Sequence, residues 1–296
     1  MGNAAALRPA RTVEVPDPPE LRLEQAMLPR DAFFDRSEQV PCDAAVAGPG
    51  CRRGVVRRTD TPARRASRFE TGARGHPWCM RCVVLPGVYP PQEDTLLLAA
   101  ALRRERLPPA ARVLDVGTGS GALAVAAARH GAAEVTAVDV CGRAVLTARL
   151  NGLLAGCRIR TVRGDLLCPV AGERFDLVVA NPPYVPTPPA PRPSRGIARA
   201  SDGGEDGRTV LDRLCAEVPS ALRPSGVLLL VHSALCGVRP TLALLAAAGL
   251  RAEVADRVLV PLGPETRSRA GWLLRRGLLA PGQEKEELVV IRAERV

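Results

Sequence analysis

The sequence contains little lysine and few aromatic residues. Lys285 is the only lysine among 41 basic residues, and phenylalanine, tryptophan and tyrosine together make up 3% of the 296 residues. The formal charge of +10 is therefore arginine charge, in a composition typical of GC-rich coding. Basic residues are not interleaved with aromatic residues, so this charge does not indicate a nucleic-acid-binding protein. A basic stretch, residues 267–276, is predicted to be a solvated face.

Long hydrophobic runs and a regular cysteine pattern are also missing. Arg239-Pro240 interrupts the longest apolar candidate, so no segment reaches the length of a membrane-spanning helix. The nine cysteines are an odd number without framework spacing, and no signal peptide is evident. Free thiols indicate a reducing compartment, and we expect a cytoplasmic protein.

Residues 1–79 differ in pattern from the rest of the chain. Arginine, proline and glycine interrupt them, and no helical or strand period persists. We predict that this part is disordered or a non-native extension, and that residues 80–296 form one domain. Cys79 and Cys82 have the spacing of metal ligands, but no second cysteine or histidine pair follows, so no metal site is predicted.

A hydrophobic strand leads into a glycine-rich turn and then a helix. The pattern is Asp-x-Gly-x-Gly-x-Gly, with Asp115, Gly117, Gly119 and Gly121. Such a turn lets a ligand approach the backbone at the start of the helix. The aspartate would repel a pyrophosphate but can bind a cationic ammonium group through charge-assisted hydrogen bonds. The pattern therefore favours S-adenosylmethionine over a dinucleotide.

Two more predicted strands, residues 134–138 and 158–163, lead to aspartates. Asp139 lies about twenty residues beyond the glycines, where an acid hydrogen-bonds ribose hydroxyls. Asp165 could accept a hydrogen bond from the adenine amino group, and Leu166 could cover the ring. Each aspartate alone could cap a turn. If three βα units surround one nucleoside, an aspartate is expected at each of three successive strand ends, as in this sequence.

The stretch Asn181-Pro182-Pro183-Tyr184 follows a buried strand, Phe175–Ala180. The prolines cannot donate to a sheet ladder, so the strand must end at Asn181, at the edge where open α/β sheets bind ligands. The Asn181 side-chain oxygen and the Pro182 carbonyl could converge on one planar NH2 group, and Tyr184 could form a flat wall. An amide nitrogen or a base amine fits this arrangement, although Asn-Pro-Pro alone would favour an ordinary turn.

This motif resembles the Asn-Pro-Pro-Tyr motif of the HemK family, class I S-adenosylmethionine-dependent methyltransferases that modify the glutamine of translation release factors. The resemblance covers about residues 84–293, with the motifs in the family's order. It implies a single doubly wound α/β domain with a mostly parallel seven-stranded sheet. Residues 88–98, VYPPQEDTLLL, are similar to the eukaryotic and archaeal branch. Glu93 lies in the first turn of a predicted helix. The helix dipole, which favours an acid there, and a role at the cofactor explain its presence equally well.

The resemblance also implies the site residues. The family's cofactor contacts correspond to Thr95, Asp115, Gly117, Gly119, Gly121, Asp139, Asp165, Leu166 and Asn181. The residues that would orient the methyl acceptor are Asn181, Pro182 and Tyr184. Residues 203–208 resemble the segment that faces the substrate peptide.

The partners follow from a difference within the family. Bacterial release-factor enzymes carry an N-terminal helical bundle, which residues 1–79 do not resemble. The similarity therefore favours the branch that works with a small zinc-binding activator subunit. An N6-adenine methyltransferase could use a similar motif on a flipped base, but would need a target-recognition domain or basic cleft. A small-molecule methyltransferase of secondary metabolism stays open, and the intact cofactor motif disfavours a non-catalytic binding module.

Overall fold

The computed structural model describes residues 82–189 and 196–296. The predictions for residues 1–79 lie outside these ranges, as does Cys79 of the pair with metal-ligand spacing. Within them, no group of three or more histidine, cysteine or acidic side chains is placed to hold a metal ion. The described helices include none that is both long and apolar enough to span a membrane.

Helices and strands alternate along the described chain. The strands are β1 (Arg112–Val116), β2 (Glu134–Asp139), β3 (Ile159–Arg163), β4 (Phe175–Ala180), β5 (Leu222–Ser233), β6 (Leu250–Pro261) and β7 (Lys285–Arg295). The helices are α1 (Glu93–Leu102), α2 (Ala122–Arg129), α3 (Gly142–Leu154), α4 (Gly196–Ser201), α5 (Thr209–Glu217), α6 (Val238–Ala247), α7 (Pro264–Ser268) and α8 (Ala270–Arg275).

The strands form one seven-stranded sheet in the order β3-β2-β1-β4-β5-β7-β6. Only β7 runs antiparallel to its neighbours, which confirms the predicted mostly parallel sheet. Val113 in β1 pairs with Val135 of β2 on one side and with Leu177 of β4 on the other. The strand order therefore reverses between β1 and β4, and such a reversal opens a crevice at the carboxyl ends of the strands.

The sheet is covered on both faces, as β4 shows. Leu177 and Val179 belong to the hydrophobic core that includes residues of α1 and α2. Val178 and Ala180 belong to the opposite core, with residues of α5 and α6. All four are at most 1% exposed. A strand buried on both faces has to be hydrophobic throughout, and this explains the continuous apolar run before Asn181.

Helix α2 starts at a glycine that allows α3 to approach closely. Gly121 has a φ of 81°, and an added Cβ would lie 2.7 Å from the Cα of Ala148 in α3. Gly117 and Gly119 also have positive φ, but an added Cβ there would meet nothing closer than 3.8 Å. Packing between two helices is therefore what requires glycine at position 121.

We expect Gly121→Ala to destabilise the protein by about 2–4 kcal/mol, because it adds a steric overlap to an unfavourable φ. Gly131→Ala is the matched control, since Gly131 has a φ of 99° and no atom within 4 Å of an added Cβ. The control should lose only about 1 kcal/mol from backbone strain. Urea unfolding followed by circular dichroism measures both, and equal losses would show that the contact with Ala148 is not significant.

Candidate active site

A cavity of about 1180 Å³ opens at the carboxyl ends of β1, β2, β3 and β4. This volume exceeds the range of about 300–1,000 Å³ usual for small-molecule sites, so it can hold a nucleoside cofactor together with part of an acceptor. The site residues named from the sequence that line the cavity are Thr95, Gly117, Gly119, Asp139, Asp165, Leu166, Asn181, Pro182 and Tyr184. Asp115 and Gly121 are not part of its wall.

The glycine turn after β1 is held by the end of β2. The backbone N–H of Gly117 donates to the carbonyl of Val138 at 2.9 Å. The Asp139 carboxylate accepts from Gly119 N at 3.0 Å and from Cys141 N at 2.8 Å. Burial raises the pKa of Asp139, although these donors favour its charged form. Asp139 therefore orders the turn on the cavity wall.

Asp115 lies behind this turn and is fully buried. Its Oδ2 accepts from Thr118 Oγ1 at 2.6 Å and from Ala124 N at 3.0 Å. Its Oδ1 has no hydrogen-bond partner among the described residues. Burial raises the pKa of Asp115 to about 7 despite these donors. Thr118 lines the cavity and connects this carboxylate to the cavity wall.

Asp165 and Leu166 lie at the end of β3, as predicted. Asp165 is half exposed and forms an ion pair with Arg213 at 2.8 Å. Leu166 is buried and has a φ of 44°, a left-handed conformation that is unusual for a branched side chain. The backbone at the end of β3 therefore turns sharply where it lines the cavity.

Tyr184 is held at both ends. Its hydroxyl donates to Asp94 Oδ2 at 2.9 Å, and its carbonyl accepts from the thiol of Cys236 at 2.9 Å. Burial raises the pKa of both Tyr184 and Cys236, so both remain protonated donors at neutral pH. The sequence predicts only a flat wall at Tyr184, and the structure adds two fixed polar contacts.

Asp94 is the functional-site residue that the sequence reasoning missed. It is 3% exposed, whereas its neighbour Glu93 is exposed and does not line the cavity. The spacing of the hydrophobic residues contained the signal, because Asp94 lies four residues before Leu98 and eight before Leu102, on the buried face of α1. Of the two neighbouring acids, the one on the buried face of the helix is expected to have a specific hydrogen-bond partner, because a buried charge has to be paired.

Residues 203–208 pack against Tyr184 and do not line the cavity. An added Cβ at Gly207 would overlap the Tyr184 carbonyl and lie 2.6 Å from the Cys236 sulfur. Arg208 is 8% exposed and donates to the Cys236 carbonyl at 2.7 Å and to Asp212 at 2.6 Å. This segment therefore supports the Asn-Pro-Pro-Tyr stretch from the side away from the cavity.

The basic stretch 267–276 is not simply a solvated face, so that prediction was wrong in part. Arg269 is half-buried and lies 3.4 Å from both the carbonyl of Val185 and the hydroxyl of Ser201. Burial lowers the pKa of Arg269. Leu273 is fully buried with Leu262. The abundance of arginine throughout the chain conceals which arginines pack inward.

The order of the parallel strands reverses between β1 and β4, a glycine turn follows β1, and acidic or amide side chains lie at or just after the ends of β2, β3 and β4. These features together define the Rossmann-like methyltransferases. Residues 80–189 match the methyltransferase small domain family. The chain is 36% identical over 176 residues to a protein of Methanocaldococcus jannaschii named as a protein N5-glutamine methyltransferase, and the match covers 60% of this chain and 87% of that protein.

Other relatives agree. The chain is 42% identical over 146 residues to the release factor glutamine methyltransferase of Deinococcus radiodurans. This match covers 48% of this chain and 52% of that enzyme. The chain spans about half the length of that bacterial relative. The structure of the E. cuniculi Mtq2–Trm112 complex, responsible for methylation of the eRF1 termination factor, includes a chain that matches with a TM-score of 0.50 and 28% identity. That match covers 71% of this chain and 99% of the other.

The chain belongs to the HemK family of S-adenosylmethionine-dependent protein N5-glutamine methyltransferases. This confirms the resemblance carried by the Asn-Pro-Pro-Tyr motif, the expected fold class and the expected cofactor.

The buried Asp115 gives a pH-dependent contribution to stability. Between its usual pKa of 3.8 and the folded value of about 7, the folded state keeps a proton that the unfolded state has lost. This contribution therefore falls as the pH rises through that range. Asp115→Asn keeps an acceptor oxygen but does not ionise. We expect its melting temperature, relative to the wild type, to rise between about pH 4 and about pH 7.

Scanning calorimetry at several pH values measures this difference. Asp256→Asn, which removes a carboxylate from β6, is the control for the loss of one negative charge. A constant difference between Asp115→Asn and the wild type across the pH range would contradict the assignment.

Proposed function

We propose that this protein transfers the methyl group of S-adenosylmethionine to the side-chain amide nitrogen of a glutamine in a translation release factor, in the cytoplasm. The observation that carries the proposal is the position of Asn181, Pro182 and the buried Tyr184 on the wall of the cavity. Membership of the glutamine methyltransferase family supports a planar amide as the acceptor.

The residues around the cavity fit S-adenosylmethionine. Gly117 and Gly119 line the cavity without a side chain, so a ligand can approach the backbone there. Asp115 lies behind the turn, so its negative charge would act on the ammonium group of the methionine part through Thr118, which lines the cavity and donates to Asp115. The residues proposed to bind the cofactor are Thr95, Asp115, Gly117, Gly119, Gly121, Asp139, Asp165, Leu166 and Asn181.

These residues have different proposed roles. Asp139 would bind the ribose hydroxyls, and Asp165 with Leu166 would bind adenine. Thr95 would contact the methionine end. Gly121 would act indirectly, because it allows the α2 and α3 contact that orders the turn. The bound cofactor supplies an electrophilic methyl group on a sulfonium.

The protein's contribution to the reaction is mainly positioning. Asn181 Oδ1 and the Pro182 carbonyl would accept hydrogen bonds from the acceptor NH2 and align its nitrogen for attack. Alignment of this kind can supply several kcal/mol, about 7–11 in well-oriented systems. Tyr184, buried and fixed at both ends, would exclude water beside the reacting nitrogen.

A specific observation bears on the N6-adenine alternative. Four arginines line the cavity: Arg143, Arg163, Arg199 and Arg213. However, Arg143 and Arg163 donate to backbone carbonyl groups, and Arg213 is paired with Asp165. The names of the Methanocaldococcus jannaschii and Deinococcus radiodurans relatives describe protein substrates, so a nucleic-acid acceptor is the less favoured candidate.

We also propose that a small zinc-binding activator subunit binds at α3 and β3. The similar E. cuniculi protein is described in complex with Trm112. In this chain β3 is an edge strand, and the neighbouring helix exposes Leu146 (56%), Leu153 (70%) and Leu154 (65%). Exposed apolar residues beside an open strand edge are suited to a permanent partner.

The acceptor site can be tested by Asn181→Ala. We expect affinity for S-adenosylhomocysteine, measured by calorimetry, to stay close to the wild-type value, because the proposed cofactor contacts are many. Turnover should fall by about 10²-fold, because the lost contact acts on alignment. The assay is mass spectrometry of an intact release factor at its Gly-Gly-Gln glutamine, with a glutamine-to-alanine substrate as the control. Wild-type turnover by Asn181→Ala would move the acceptor site elsewhere, and label in nucleic acid would favour the adenine alternative.

The partner surface can be tested by the double substitution Leu153→Glu and Leu154→Glu. Two charges in a buried apolar interface should abolish co-purification with the activator while leaving the melting temperature of the isolated protein unchanged. Leu259→Glu is the matched control, because Leu259 is 62% exposed on the opposite edge strand, β6. Loss of the complex in the control but not in the double variant would contradict this placement.

A further inference from the structure

We propose that Asp94 is a positioning residue for the acceptor site. Its carboxylate sets the direction of a chain of hydrogen bonds, so that Asn181 presents its oxygen and not its NH2 group to the acceptor nitrogen. The inference rests on the proposed function, because it concerns how an amide acceptor is held. The known motif places Asn181 at the site, and Asp94 would determine which way round its side chain lies.

The Asp94 carboxylate accepts hydrogen bonds from two residues, Thr95 and Tyr184. Its Oδ1 accepts from the backbone N–H of Thr95 at 2.6 Å and from Thr95 Oγ1 at 3.2 Å. Its Oδ2 accepts from the Tyr184 hydroxyl at 2.9 Å. Asp94 is 3% exposed, so water does not compete strongly for these positions. It also lies in the first turn of α1, where the helix dipole favours a negative charge.

The Thr95 hydroxyl has a single hydrogen, and this limits the directions of its hydrogen bonds. An ionised carboxylate has no hydrogen to donate, so the Thr95 hydroxyl must direct its single hydrogen at Asp94. The lone pairs of Thr95 Oγ1 then face Asn181, whose Nδ2 lies 3.5 Å away. Because Thr95 can only accept in that direction, the NH2 group of Asn181 turns toward Thr95. The Asn181 Oδ1 is left for another donor.

The orientation of Asn181 matters because of the chemistry of the methyl acceptor. A glutamine side chain brings two N–H donors on the nitrogen that is to be methylated, and it needs acceptors around them. An inverted Asn181 would place one NH2 group against another and lose both the hydrogen bond and the alignment. The same carboxylate holds the phenol of Tyr184, so the amide and the aromatic wall are fixed by a single group.

The arrangement also connects the two halves of the cavity. Thr95 and Asp94 lie at the start of α1, and Asn181 and Tyr184 lie after β4, so the contacts join segments 86 and 90 residues apart. All four residues line the cavity. A displacement of α1 would therefore be transmitted to the acceptor motif.

The test is Asp94→Asn, which keeps the shape but replaces one acceptor oxygen with a donor. That NH2 group can point at Thr95 or at Tyr184, and either contact would then have to reverse. We expect kcat to fall by about 10²-fold, the effect of a misplacement of about 1 Å. The KM for the release factor and the affinity for S-adenosylhomocysteine should change much less. Glu93→Gln removes the same charge from the exposed neighbouring residue and should behave as the wild type.

A spectroscopic readout does not depend on methyl transfer. The chain has two tyrosines, so labelling with 3-fluorotyrosine gives two ¹⁹F resonances, and Tyr184→Phe identifies one of them. Asp94→Asn should shift the Tyr184 resonance, and Glu93→Gln should leave it in place. If the wild type does not methylate the release factor but the resonance shifts, the proposed function fails while the contact of Asp94 with Tyr184 stands.

Several results would overturn the inference. A kcat for Asp94→Asn within about threefold of the wild type would do so, as would an unmoved Tyr184 resonance. If thermal melting shows that Asp94→Asn does not fold, Thr95→Val tests the same chain of hydrogen bonds, because it keeps the side-chain shape and removes the hydroxyl that accepts from Asn181. We expect about tenfold lower kcat at saturating cofactor for Thr95→Val, and a wild-type kcat would refute the role of Asp94.

Discussion

The parallel pairing of β1 with both β2 and β4 is the constraint on which the site depends. Parallel strands bring their carboxyl ends to one edge, and a reversal of strand order leaves a gap between the connections on that edge. Asp139 is the last residue of β2 and Asn181 follows β4, yet both lie on one cavity wall because β1 lies between those strands. That arrangement is fixed mainly by the pairing of the hydrophobic strands.

The features that the sequence predicted correctly are local ones. Pro182 and Pro183 end β4 at Ala180 wherever the strand lies in the sheet, and the apolar run before them indicates burial on both faces. The contacts that the sequence did not predict join distant segments, such as Tyr184 with Asp94 and with Cys236, which lie 90 and 52 residues away. Such pairs depend on which helix face turns inward, and one sequence does not specify the partner.

Motif residues also proved to differ in what they touch. Within the Asp-x-Gly-x-Gly-x-Gly pattern, Gly117 and Gly119 lie on the cavity wall, whereas Gly121 contacts Ala148 and Asp115 lies behind the turn. The pattern is recognisable because binding and packing requirements occur at fixed spacing along one turn. The sequence alone cannot distinguish a binding requirement from a packing requirement, because either one can require a glycine or a buried acid.

The position of β7 has a consequence for how the molecule is made. β7 lies between β5 and β6 and follows both along the chain, so β6 cannot join the sheet before β7 has been synthesised. The parallel strands β1 to β5, which carry the cavity, precede this step, and long-range strand pairing is slow. A growing chain therefore exposes an open edge of β5 for as long as synthesis of the last two strands takes. The part of the protein that carries the cavity is therefore made while a sheet edge that could pair with another chain is still open.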